Sequence, residues 1–166
     1  MAQGFDMNFD TAFQLVLGHE GRFSDHKDDP GGKTMWGITE RVARAAGYDG
    51  EMQDMPVDVA KTIYARDYWN ACRCESFAPE VRFHLFDAAV NSGVLQATKW
   101  LQRALNVDDD GIIGKITLMA GKNQPGAVTA MRMTGYRLQF MSSLSTWGSF
   151  GRGWANRIAK NLIGAP

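Results

Sequence analysis

The chain lacks the features that mark several large protein classes. No apolar run approaches the ~20 residues of a membrane span. Only two cysteines occur, Cys72 and Cys74. They stand one residue apart, a spacing that rarely allows a mutual disulfide, so they read as free thiols suited to a reducing compartment. Met1 to Asp10 holds two aspartates, no basic residue and no apolar core. That is not a signal peptide, and the expectation is a protein retained in a cytoplasm until something releases it. No H-E-x-x-H is present, and Cys-x-Cys lacks the usual zinc spacer, so His19, His26, His84, Cys72 and Cys74 do not read as a metal site. No G-x-S-x-G elbow occurs, and His84 beside Phe83 and Leu85 reads as a core or surface histidine rather than a base for a cysteine. Asp108-Asp109-Asp110-Gly111 is a turn. A calcium loop would need a carboxylate further on, and no acidic residue follows Asp110.

What is present suits a folded domain. The 166 residues are 45% hydrophobic and 22% charged, enough length and apolar content for a real core. The net charge of zero hides an asymmetry. Residues 1–110 carry all 18 acidic residues and 11 of the 18 basic ones, while residues 111–166 carry seven Lys/Arg and no acid. A field of one sign either attracts an anionic partner, such as a cell wall, a lipid surface or nucleic acid, or is a merely solvated face. No recognised nucleic-acid motif accompanies it.

Periodicity predicts a mainly α-helical chain. Phe9, Ala12, Phe13, Val16 and Leu17 recur at helical spacing behind a cap at Asn8 or Asp10. Residues 21–39 are rich in turn formers and read as a loop or short hairpin. Glu40 to Ala46 reads as a helix stopped by Gly47. Another begins at Pro56 and runs to about Trp69. Leu85 to Leu105 carries a helical pattern that Asn91-Ser92-Gly93 interrupts or bends. Ile113 to Ala120 is a short helix, and Gln124-Pro125-Gly126 opens a long one. Trp147 to Ile158 adds aromatics spaced by glycine and arginine. Internal repeats and an evident interdomain linker are absent.

One carboxylate is out of place. Glu20 continues the apolar stripe of the first helix, where the usual occupant is apolar. Burial against apolar surface raises a carboxyl pKa, which keeps it protonated near neutral pH and able to protonate a glycosidic oxygen. The plainer alternative is a Glu satisfied by Arg22 or a helix N-terminus. Asp25, Asp28, Asp29 and Thr34 follow within fourteen residues. A second carboxylate or a hydroxyl there can hold water on the opposite face of a sugar.

The ordered motifs resemble glycoside hydrolase family 108, a family of N-acetylmuramidases from phages and bacteria. His19-Glu20-Gly21-Arg22-Phe23, Asp29-Pro30-Gly31-Gly32-Lys33-Thr34 and Gly37-Ile38-Thr39 resemble its first signature. Tyr64 to Trp69 and Phe86-Asp87-Ala88-Ala89-Val90-Asn91-Ser92-Gly93 are similar to its Y-x-x-x-Y-W and F-D-x-x-V-N-S-G elements. Leu101-Gln102-Arg103-Ala104-Leu105, Asp110-Gly111-Ile112-Ile113-Gly114 with Thr117, and Gly153-Trp154-Ala155-Asn156-Arg157 resemble later ones. Arg22 departs from the pattern, which usually has a second glycine there. The spacing of Glu20, Asp29 and Thr34 is also similar to the Glu–Asp–Thr triad of T-even phage lysozymes.

The resemblance implies a lysozyme-like fold, mainly α, with a small β-hairpin or loop region after the first helix. It implies a catalytic muramidase lobe over 1–94 and a helical peptidoglycan-binding-type region over 95–166, packed as one compact unit. It assigns catalysis to Glu20; Asp29 or Thr34, or both, are the candidates for the assisting group from their place in the loop, with Asp25 as a further candidate at the substrate. No cofactor is implied. The partner is peptidoglycan, with possible contact between the basic C-terminal third and an anionic outer membrane or wall, no nucleic acid, and a monomeric protein. The role implied is that of a phage endolysin held in the host cytoplasm until holin-type release to the wall.

Asn91, polar in an otherwise apolar helix, either faces substrate or makes an internal hydrogen bond that fixes the bend. Tyr68 and Trp69 either line a sugar cleft or belong to the core. Trp147, Phe150 and Trp154, interleaved with Arg152, Arg157 and Lys160, suit sugar stacking or an anionic membrane surface, although Trp154 and Ile158 read first as closing the core. These features alone are compatible with a non-catalytic wall-binding or membrane-active protein, which would have no use for the Glu20 loop.

Overall fold

The computed structural model describes residues 7–18, 23–24 and 32–164. The chain divides into two compact units, Phe9–Asp67 and a second formed by Tyr68–Pro166 with Met1–Asn8. Residue 94, after which the sequence reading divides the chain, lies within the second of these units.

The first unit opens with helix α1, Phe9–Leu17, whose Ala12, Phe13 and Val16 are buried as the periodicity requires. Phe13 meets Tyr64 edge to face at 5.5 Å, and Asp10 pairs with Lys61 at 2.7 Å. Three two-residue strands follow: β1 (Phe23–Ser24), β2 (Thr34–Met35) and β3 (Ile38–Thr39). They form an antiparallel sheet in the order β1-β2-β3. Thr39 caps helix α2, Glu40–Ala45, by accepting from the Val42 amide, and Gly47 at φ +87° follows the helix end. A 3₁₀ turn, Met52–Asp54, leads through Pro56 to helix α3, Val57–Tyr64. The helical path widens into a π-helical stretch, Ala65–Asn70, so the helix expected from Pro56 to Trp69 is continuous but changes its winding.

The second unit is all helical among the described residues. After a 3₁₀ turn at Cys74–Ser76 come α4 (Pro79–Ser92), α5 (Val94–Ala104), α6 (Lys115–Asn123), α7 (Gly126–Ser142) and α8 (Trp147–Gly164). Helices α4, α5 and α7 pack on one another, and α8 packs on α7. Helix α4 is buried from Val81 to Ala89 apart from Arg82. Its apolar character runs round the helix rather than along a stripe, as a central helix requires. Trp100 of α5 is fully buried and meets Phe140 of α7 edge to face at 5.5 Å. Between α4 and α5 stands Gly93 at φ +84° and ψ 152°, a conformation essentially confined to glycine, so one apolar pattern becomes two helices. No helix among the described residues is long and apolar enough to cross a membrane.

Candidate functional site

The expected catalytic loop lies between α1 and β3. Glu20, Asp25 and Asp29 are outside the described residues, as are His19, Arg22 and His26. Thr34 is described, and so is the frame that holds it. It sits half-buried on the middle strand, with Ser24 opposite on one side and Thr39 on the other. The register therefore lines up three hydroxyl side chains across the sheet. Thr34 Oγ1 donates to the Gly32 carbonyl at 3.3 Å, and its lone pairs remain available as acceptors.

The tight β2–β3 turn fixes that row. Its two central residues, Trp36 and Gly37, both have positive φ, +55° and +77°, the backbone pattern of a two-residue hairpin turn. A tryptophan there is strained and must be held from outside. Its indole N–H donates to the Met55 carbonyl at 2.9 Å, and its own carbonyl accepts from the Tyr64 hydroxyl at 3.0 Å. The hairpin is thus anchored at both ends of the Met55–Tyr64 segment.

In the second unit the chemistry gathers around Asp87, which sequence reading passed over. The carboxylate is fully buried. Arg137 Nη1 donates to Oδ2 at 2.6 Å, Asn161 Nδ2 donates to Oδ2 at 2.6 Å, and Arg157 Nε donates to Oδ1 at 3.0 Å. Burial alone would raise the carboxyl pKa, but the Arg137 and Arg157 guanidiniums outweigh it and hold Asp87 below the usual carboxylate range. Burial likewise draws the Arg137 pKa down against the pull of Asp87, and keeps neighbouring His84 below the ordinary histidine value. Two arginines share one anion, so two of the seven basic residues beyond Asp110 are turned inward. The exposed positive charge of that region rests on Lys115, Lys122, Arg132, Arg152 and Lys160.

Asn91 belongs to this network. Its Oδ1 accepts from Arg137 Nη2 at 2.9 Å while the residue itself is exposed. The hydrogen bond anticipated for it exists, but it reaches α7 rather than bracing the bend, which Gly93 makes by its backbone alone. Tyr68 is half-buried. Trp69 is 2% exposed and meets Phe86 edge to face at 5.4 Å, so of its two readings, cleft or core, the core one holds and it is not a cleft-lining ring. Ile158 closes the core as expected, whereas Trp154 stays half-buried. Cys72 and Cys74 are free and buried, and burial pushes the Cys74 thiol up, away from the reactive thiolate. Among the described residues no three His, Cys, Asp or Glu side chains lie together in a way that could hold a metal ion.

The later motifs also acquire a structural meaning. Gln102, buried on α5, donates to Asp110 Oδ1 at 2.7 Å and to the Ile112 carbonyl at 3.0 Å, and accepts from the Gly111 amide at 2.8 Å. Its Nε2 also lies 3.2 Å from Thr117 Oγ1. One carboxamide therefore pins the whole α5–α6 connection. A signal for Asp87 was present in the sequence, as an acid inside an apolar helical pattern, the same anomaly that drew attention to Glu20.

The model of the family described as glycosyl hydrolase 108 matches residues 13–93. The match spans Glu20, Asp29, Thr34, Asp87 and Asn91 and stops at the glycine between α4 and α5. The chain is also similar to a solved structure titled "Structure of Brucella abortus SagA", with 31% sequence identity and a TM-score of 0.85. That similarity covers 95% of this chain and 92% of the other, so it includes the helices beyond residue 93. No curated protein matches.

Proposed function

We propose that this chain, which belongs to glycosyl hydrolase family 108 and is therefore a glycoside hydrolase, cleaves the β-1,4 bond between N-acetylmuramic acid and N-acetylglucosamine in peptidoglycan. The observation that carries the reading is the family match itself. It begins in α1, seven residues ahead of Glu20, and embraces every residue to which the chemistry is assigned.

Glu20 acts as the general acid. It protonates the glycosidic oxygen as the bond breaks, and charge develops on the sugar as an oxocarbenium-like transition state. Asp29 stabilises that charge or draws a proton from the attacking water, and the Thr34 hydroxyl helps to hold the water in place. Asp25 contributes at the substrate. No metal or cofactor takes part. The biological role is that of a phage endolysin. The monomeric protein waits in the host cytoplasm, reaches the wall after a holin-type lesion, and lyses the host. The five exposed cations of the C-terminal region assist contact with an anionic wall or outer membrane, and nucleic acid is not a partner.

The test is mass spectrometry of fragments released from purified peptidoglycan by the protein and by Glu20→Gln. The expected products end in N-acetylmuramic acid at the reducing end. Their rate of release falls by about 10²–10⁴ in the variant, the contribution of a positioned acid. Intact glycan strands with cut peptides would overturn the assigned bond. An unimpaired Glu20→Gln protein would overturn the assigned acid.

A further inference from the structure

At the junction of α4 and α5 the second unit contains a cavity of about 290 Å³. Asn91, Ser92 and Gln96 form one part of its lining, and Phe140, Leu144 and Trp154 form another. From these residues we infer that the cavity is a binding site for a single N-acetylglucosamine residue of the glycan. The identity of the ligand rests on the glycan-cleaving reading above. The chemistry of the pocket does not.

Three observations lead to that ligand. The first is size. A volume near 290 Å³ lies at the small end of ligand pockets, ~300–1,000 Å³, and suits one sugar ring rather than a chain of them. The second is the division of the lining. A pyranose has an apolar C–H face and a polar rim, and an acetamido group adds an amide donor, an amide acceptor and a methyl. Trp154 offers an aromatic face, and Asn91, Gln96 and Ser92 offer two carboxamides and a hydroxyl. The third is charge. Among the described residues no acidic or basic side chain lines the cavity. A neutral acetamido sugar fits that lining, and a sugar or peptide bearing a carboxylate would find no counter-charge.

The site is also held in shape before anything binds. Asp87 fixes Arg137, and Arg137 donates to Asn91 Oδ1 at 2.9 Å. An amide whose oxygen is held in this way has its Nδ2 donor on the side away from the guanidinium. Ser92 Oγ reaches the same Asn91 oxygen at 3.5 Å. Trp154 is braced by Phe150, stacked at 5.8 Å, and by Trp147 at 6.2 Å. Fixing the aromatic face and the amide in advance reduces the ordering cost of binding. Asp87, Arg137 and Asn91 are thus more than a buried ion cluster. They carry the rigidity of the core to a surface donor.

The experiment is a titration of the isotope-labelled full chain with free N-acetylglucosamine, followed by amide and indole NMR signals. Glucose, which lacks the acetamide, is titrated in parallel. The Trp154 indole and the Asn91 and Gln96 side-chain amides should shift saturably with N-acetylglucosamine and much less with glucose. Gln96→Ala, a mild change on a helix, should weaken binding about two- to tenfold, the worth of one neutral hydrogen bond. Trp154→Phe should bind more tightly than Trp154→Ala. Unmoved signals at these three side chains, equal shifts with glucose, or unchanged affinity in Gln96→Ala would each overturn the proposal. Shifts confined to other residues would remove this site and leave the hydrolase reading intact. Saturable binding here by a protein that releases no reducing sugar from peptidoglycan would do the reverse.

Discussion

Replacing Asp87 by asparagine should be among the most damaging single changes available outside the catalytic loop. The side chain keeps its shape and loses its charge. Arg137, 4% exposed at its side chain, and Arg157, 14% exposed, then face one another with no anion between them. Breaking a buried ion pair from one side costs about 3–5 kcal/mol, because the stranded charge is left without compensation. For a chain of this length each kcal/mol moves the melting temperature by about 2–4 °C, so the expected fall is about 6–20 °C. A second substitution tests the reasoning more sharply. Arg137→Met leaves Asp87 with Arg157 and Asn161, a neutral and still hydrogen-bonded set, and removes one of two like charges. It should therefore cost less than Asp87→Asn, although Arg137 is itself buried. Thermal unfolding followed by circular dichroism measures both. A loss below about 1 kcal/mol for Asp87→Asn, against the range above, would refute the view that this carboxylate neutralises the two guanidiniums. So would a reversed order of the two variants.

Two further predictions concern pH and the backbone. Asp87 and His84 both have folded pKa values below their ordinary ones, so both lose stabilising free energy as the solution is acidified. For His84 the neutral form is the one the fold accepts. Its contribution is present above the unfolded value of about 6.5 and is lost as pH falls below it, so His84→Gln should flatten denaturant-measured stability in that range. For Asp87 the loss begins only below about pH 4, the unfolded carboxyl value, and continues as pH falls through the lower folded one. An Asp87→Asn protein whose stability falls as steeply over that acid range as the parent's would count against this assignment. Gly93→Ala meets no atom within 4 Å but must hold φ +84°, so it should lower stability by about 1–3 kcal/mol through backbone strain alone. A chemical denaturation curve unchanged by the substitution would contradict that.

Much of the secondary structure was legible because its causes are local. Gly47 follows α2, Pro56 precedes α3, and Gly93 parts α4 from α5, each through a constraint on its own backbone. The stripe of Ala12, Phe13 and Val16 announced α1 and its buried face together. The β region was read only as a loop or hairpin. Its strands have two residues each, too short for an alternating pattern to register, and its turn places a tryptophan where Asn-Gly is usual. Trp69 stayed ambiguous for a related reason. An aromatic at helical spacing looks the same in sequence whether its ring meets Phe86 or a sugar.

The motif at Glu20, Asp29 and Thr34 drew attention through chain proximity and a carboxylate on an apolar face, both properties of the sequence. Asp87 itself left a signal, but its partners did not, because Arg137, Arg157 and Asn161 lie 50, 70 and 74 residues away from it in the chain. By itself the sequence determined most of the helices and their breaks, the family signature and the excess of positive charge beyond residue 110. The tertiary structure alone decided which of those charges turn inward, which aromatic rings stay at the surface, and that Asn91 is held by an arginine from α7. Periodicity and turn chemistry act between near neighbours in the chain. Compensation of a buried charge depends on which distant side chains packing brings within hydrogen-bond reach.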